Sequence, residues 1–243
     1  MQQAEAEFYP LLRRRAARGA SGAVVAAGVV CALAVSSAGV SPMAIARGIA
    51  VPVVLMALVA RALPQHGQAA LGWANGITLA RSVLVAGLAA FLGEPAAVGH
   101  AGWLVAVALV AFGLDGLDGR VARATGTDSP FGARLDMELD SITMVVLAGL
   151  VVTVGHAGSW VLLVGAARYL FVLAGWAWPV LGAPLPADPR RAWACGVGVA
   201  LLVAAMGPWP VAGLATGCAV GALVVIVGSF AIDVGWLLRR GWG

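Results

Sequence analysis

The sequence predicts an all-α, polytopic membrane helix bundle of about eight spans, and three observations carry that expectation. First, 61% of the 243 residues are hydrophobic and only 11% are charged, whereas a soluble domain is about 25% charged and about 45–50% apolar. Second, the apolar residues form continuous runs near the roughly 20 that a helix needs to cross a bilayer, not the alternating segments of about ten that outer-membrane strands show. Third, charge is concentrated: residues 113–140, GLDGLDGRVARATGTDSPFGARLDMELD, hold six acidic side chains and three arginines.

Spans are expected at 20–40, 42–60, 76–93, 100–117, 137–155, 159–179, 192–207 and 211–237. Residues 1–18 read either as a short amphipathic segment on the inner membrane surface or as a frayed tail. Small residues run on from the first span into a second apolar run without a clear cleavage site, so no signal peptide is expected. Ser41 and Pro42 mark the turn of a hairpin over 20–60 whose only charge is Arg47. A polar connection, RALPQHGQAALGWANG, then leads into spans that carry ionisable groups. The chain accordingly divides into an N-terminal appendage, 1–74, and a six-helix core, 75–243.

Arginine placement sets the expected orientation, because basic residues in short loops stay on the cytoplasmic side. With the N-terminus inside, Arg13, Arg14, Arg15, Arg18, Arg61, Arg120, Arg123, Arg134, Arg190, Arg191, Arg239 and Arg240 all fall inside, and the outer loops keep only Glu94, His100 and His156. Both termini are then cytoplasmic in a cell inner membrane. Arg47 is the misfit, about one turn inside the outer end of the second span, where it snorkels outward or pairs with another helix. Trp73, Trp103, Trp160, Trp209 and Trp236 lie near span ends and read as interfacial anchors.

Composition also excludes chemistries. The chain has no lysine, hence no P-loop lysine and no Schiff base. Cys31, Cys195 and Cys218 are isolated within spans and suit apolar packing better than a zinc site or a disulfide. The net charge of +4 belongs to inner-surface arginines facing anionic headgroups and requires no nucleic acid. His66 is a lone surface histidine, and His100 and His156 lie on the side away from the charged cluster, so none is expected as a general base.

Asp115 and Asp118, three apart, share one helix face beside Gly113, Gly116 and Gly119, which leave the backbone open to a ligand. Asp136 and Asp140, four apart, share a face of the next helix, while Glu138 points elsewhere. The short connection makes the two helices antiparallel neighbours, so the four carboxylates meet at the inner membrane boundary. Four anions near hydrocarbon need a cation. Either a divalent metal supplies it, with all-oxygen ligation suiting magnesium, manganese or calcium, or Arg120, Arg123 and Arg134 form ion pairs with the acids.

Asp115, Asp118, Gly119, Ala122, Arg123, Gly132, Asp136 and Asp140 match the pattern D-x2-D-G-x2-A-R-x8-G-x3-D-x3-D at each fixed position. The pattern resembles the signature of the CDP-alcohol phosphotransferase family, and NGITLAR at 75–81 resembles the N-x-x-T-x-x-R segment that precedes the family's first core helix. The resemblance covers the six-helix core and leaves out the hairpin. It implies transfer of a phosphatidyl group from a CDP-linked lipid such as CDP-diacylglycerol to a small polar alcohol, with release of CMP, in phospholipid biosynthesis. It further implies Mg2+ or Mn2+, as two ions held by Asp115, Asp118, Asp136 and Asp140, with Asp140 also the base that deprotonates the acceptor. Gly119, Ala122, Arg123, Gly132, Asn75, Thr78 and Arg81 would line the nucleotide pocket, and the protein would be a homodimer.

The acceptor is less legible. Arg168 falls within a span and Arg191 begins another from the inner side; with Arg134 they are candidates for binding an acceptor phosphate, by general location only. Arg168 pairing with Asp233 or with one of the four aspartates is the competing expectation. Inositol phosphate, serine and glycerol phosphate remain open as acceptors, although Ser141 stands where the glycerophosphate branch commonly has a lysine. The rival to an enzyme is a non-enzymatic protein that binds or transports divalent cations; a permeation path would want polar groups through the membrane's depth, and the outer half here is apolar.

Overall fold

The computed structural model describes residues 2–60, 72–125, 129–186, 188–209, 211 and 213–241, with the side chains of 2–13, 15, 118–120, 122, 123, 125 and 241 outside the description. Among the described residues the regular structure is helical, with no strand: α1 (Gln2–Ala38), α2 (Met43–Val59), α3 (Gly72–Ala89), a single-turn α4 (Ala96–Gly99), α5 (Ala101–Thr125), α6 (Pro130–Thr153), α7 (Leu162–Ala177), α8 (Pro189–Met206) and α9 (Leu214–Gly241). The eight longer helices correspond one to one with the expected spans. Ala16–Ala38, Ser159–Ala177 and Leu214–Arg240 are long and apolar enough to cross a bilayer, and Met43–Val59 and Ala101–Leu117 are shorter apolar helices. The chain is a polytopic helical membrane protein.

Two boundaries differ from expectation in an informative way. Residues 2–18 do not form a separate surface segment; they run without a break into the first span as one 37-residue helix, with the strong helix formers of LLRRRAAR carrying the helix on through Gly19. Similarly, α5 continues to Thr125 and α6 begins at Pro130, several residues beyond the apolar runs. Charged helix ends keep their own backbone hydrogen bonds while leaving the hydrocarbon, so hydropathy underestimates their length.

The helices gather into two units, Met1–Ile142 and Thr143–Gly243, with α6 running through the division. In the first unit, α1 buries a stripe of small residues, Ala16, Ala23, Ala27 and Cys31. Gly48 of α2 meets that stripe: a Cβ there would stand 3.1 Å from the Ala86 carbonyl oxygen of α3 and run into the Cys31 sulfur. The Cys31 thiol donates to the same carbonyl at 3.6 Å. Close backbone approach at small residues is how helices associate where lipid offers no hydrophobic drive. Gly39, at φ +66°, makes the α1–α2 turn possible. Near that turn Arg47 donates to Glu94 and to the Leu92 carbonyl, and Glu94 accepts from the Ser41 hydroxyl at 2.6 Å and the Ser41 N–H at 3.1 Å. The misfit arginine therefore pairs with the connection that follows α3.

In the second unit, α7 crosses the later part of α6 at Gly165, where a Cβ would stand 2.5 Å from the Val145 Cα. Gly198 of α8 admits the Ile226 side chain of α9 in the same way. His156 Nδ1 lies 2.8 Å from the Ala205 carbonyl, and the His156 carbonyl accepts from Thr216 at 2.8 Å, tying the segment after α6 to the end of α8 and the start of α9. Asp188 caps α8 by accepting from the Arg190 N–H at 2.8 Å, with Pro189 at the first helical position.

Candidate active site

Three elements of the first unit build the site. On α3, Asn75, Thr78 and Arg81 recur every three residues and are all buried, 3% exposed each, so they occupy one inward face. On α5, Leu104, Ala108 and Ala111 form the buried stripe, and the next position in that register is Asp115. The apolar packing of α5 thus delivers a carboxylate to the α3 side. On α6, Phe131, Leu135, Leu139 and Ile142 are buried, and Asp136 and Asp140 lie beside that stripe one turn apart.

The first turn of α6 is fixed locally. Ser129 caps it, its hydroxyl accepting from the Gly132 N–H at 3.0 Å, and Pro130 follows as the first helical residue. Gly132 faces Asn75 so closely that a Cβ would stand 2.9 Å from Asn75 Oδ1. Any side chain at 132 would displace Asn75.

Arg81 occupies the centre. Its Nη1 donates to Asp136 Oδ1 at 2.7 Å, its Nη2 donates to Asp140 Oδ1 at 2.9 Å, and the same Nη2 lies 2.6 Å from Asp115 Oδ1. One ligand oxygen from each of Asp115, Asp136 and Asp140 lies within 4.8 Å of the others. Asp115 Oδ1 is buried and accepts no hydrogen bond from the described residues, so its contact with Arg81 is one of charge without hydrogen-bond geometry. Among the described residues, three carboxylates face one guanidinium, and an all-oxygen donor set with an unsatisfied buried oxygen suits a hard divalent cation. The residues fit a metal site.

Of the residues singled out in the sequence, the fold brings together Asp115, Asp136, Asp140 and Arg81, and sets Asn75 against Gly132. Asp118, Gly119, Ala122 and Arg123 continue α5, with side chains outside the described residues; Asp118 follows Asp115 by three positions and shares its helix face. Arg134 pairs with Glu138 at 2.8 Å, which accounts for an acid buried to 2% exposure off the ligand face. Arg168 and Arg191 belong to the second unit. There Asp233 is held by Arg190 and, at 3.5 Å, by Arg191, while Arg190 also donates to the Ser229 hydroxyl at 2.7 Å. Sequence reasoning put Arg81 beside a nucleotide; its place among the acids was missed. The available signal was the pairing of a mid-span arginine with a cluster of acids that needs a cation. The Ser129–Pro130 cap was also missed, although serine before proline at a helix start is a readable sign.

The sequence model of the CDP-alcohol phosphatidyltransferase family matches residues 71–230, from the start of α3 into α9. Neither the curated proteins nor the solved structures yield a match.

Proposed function

Because the chain belongs to the CDP-alcohol phosphatidyltransferase family, we propose that it transfers a phosphatidyl group from a CDP-linked lipid, CDP-diacylglycerol, to a small polar alcohol and releases CMP. The observation that carries this reading is the convergence of Asp115, Asp136 and Asp140 to within 4.8 Å. With Asp118 they would hold two divalent ions, Mg2+ or Mn2+. Bound there, such ions offset the charge that builds on the phosphate oxygens and on the leaving nucleotide.

The chain's own residues supply the rest. Asp140 accepts the proton of the acceptor hydroxyl as that oxygen bonds to the lipid-bearing phosphorus; the bridging P–O bond breaks, and CMP leaves with its electron pair. Before metal is bound, Arg81 holds the Asp140 carboxylate through its 2.9 Å hydrogen bond. Asn75 and Thr78, with Gly119, Ala122, Arg123 and Gly132, line the nucleotide pocket, where Gly132 keeps the space beside Asn75 clear. Arg123 offers a planar, permanently charged donor to a phosphate oxygen. Arg134, on α6, is the first unit's candidate for the acceptor side. A lipid-tailed donor keeps its acyl chains in the bilayer and its head at the interface, so the site belongs at the inner membrane boundary with both termini cytoplasmic, and the protein works as a homodimer.

The test is to incubate purified protein with CDP-diacylglycerol, Mg2+ and, separately, serine, glycerol 3-phosphate, inositol 1-phosphate, inositol or choline, and to follow CMP. CMP should appear with one class of alcohol and stop on chelation by EDTA. Absence of CMP with every alcohol, or release indifferent to EDTA, would contradict the proposal.

A further inference from the structure

We propose that Arg81 is a resident cation of the carboxylate cluster, holding the three acids together when no metal is bound and yielding that place to the metal by turning to the donor's pyrophosphate. Metal and nucleotide then bind cooperatively through one side chain. The inference rests on the metal reading above and adds the role of the guanidinium.

The geometry is that of a placeholder. The Arg81 side chain is 4% exposed, and its two terminal nitrogens sit among the three carboxylates at 2.6, 2.7 and 2.9 Å. A divalent ion of the magnesium type binds carboxylate oxygens at about 2.0–2.1 Å, which brings adjacent ligand oxygens to about 3 Å apart. A guanidinium hydrogen-bonded to those oxygens fills the same volume and repels the incoming ion, so the two occupants exclude each other. Arg81 is also an imperfect occupant: it hydrogen-bonds Asp136 and Asp140 but meets Asp115 Oδ1 without hydrogen-bond geometry, leaving that buried oxygen unsatisfied.

A displaced guanidinium at this depth needs another anion, since leaving it buried and unpaired is costly. Asn75 and Thr78 share its face of α3 and belong to the proposed nucleotide pocket, so the nearest new partner is a phosphate of the donor, which a guanidinium binds in a fork. If each ligand improves the other's site, the coupling is reciprocal.

Mn2+ binding to the purified full chain, read by the electron paramagnetic resonance of free Mn2+ with and without CDP, tests this independently of turnover. Arg81→Gln should bind Mn2+ about tenfold more tightly than wild type in the absence of CDP, because the competing positive charge is gone. The tightening that CDP produces should be smaller in Arg81→Gln than in wild type. Unchanged or weaker Mn2+ binding by a monodisperse Arg81→Gln would overturn the proposal and make Arg81 a fixed organiser of the acids. Should Arg81→Gln fail to fold, Arg81→Lys, a point charge that cannot span three carboxylates, should still bind Mn2+ severalfold more tightly; weaker binding by it overturns the proposal equally. A wild-type protein that binds no Mn2+ sinks the metal reading itself, whereas wild-type binding without any gain in the variants sinks only the role of Arg81.

Discussion

Two partly buried charged clusters of the first unit differ in stoichiometry. At the α1–α2 turn, one guanidinium, Arg47, meets one carboxylate, Glu94, beside the Ser41 hydroxyl, the Ser41 N–H and the Leu92 carbonyl, and Arg47 Nε is buried with no hydrogen bond among the described residues. Among the described acids, one guanidinium, Arg81, faces three carboxylates, and Asp115 Oδ1 accepts no hydrogen bond from the described residues. The first cluster is balanced in charge and joins the hairpin to the end of α3; the second, among the described residues, sets three carboxylates against one guanidinium. Buried charge is tolerated when paired, so surplus charge is what separates a site from a strut. The second unit follows the balanced pattern, with Arg190 and Arg191 set against Asp188 and Asp233.

The largest effect that would break the comparison is on rate. Asp140→Asn should lower CMP release by about 10²–10⁴-fold, the range over which a positioned base acts, while the protein stays folded and monodisperse. Release within a few fold of wild type would reduce the unbalanced cluster to a strut.

A smaller effect is expected at the balanced cluster, and it is on stability. Glu94→Gln keeps the shape and an acceptor for Ser41 but leaves Arg47 without its counter-charge; it should cost about 1–3 kcal/mol, read as a lower melting temperature, with CMP release per folded molecule unchanged. A loss of turnover at full stability would show that the two clusters are not separable in role.

The smallest effect is in pH. Hydrogen bonds from the Ser41 hydroxyl and from Arg47, then from the Ser41 N–H, hold the Glu94 carboxyl at about 2, below its ordinary value of 4.5. A depressed carboxylate contributes stability that is complete above the ordinary value and is lost as pH falls toward the depressed one. The melting-temperature difference between wild type and Glu94→Gln should therefore be constant above about pH 5 and shrink between about pH 4 and pH 2. A difference that grows on acidification would contradict the assignment.

Much of this was legible in the sequence, for definable reasons. Continuous apolar runs gave all eight long helices because burial in lipid is written residue by residue. The aspartate spacing 136/140 gave a shared helix face, both carboxylates meeting Arg81, because helical period is local. Where local information ended, so did the reading. Nothing in residues 2–18 distinguishes a helix lying on the surface from one continuing into a span. Glu94 and Arg47, 47 positions apart, meet only through the docking of the hairpin on α3. Arg81 reads as a pocket residue until the packing of α5 and α6 carries Asp115, Asp136 and Asp140 to its guanidinium, 34, 55 and 59 residues away in sequence.

The most direct measurement of the central claim is a Mn2+ titration of wild type and Asp136→Ala, followed by the resonance of unbound Mn2+. The account predicts saturable binding by wild type that weakens at least about tenfold when the Asp136 carboxylate is removed, since few carboxylates hold such an ion. Equal binding by the two proteins would contradict it.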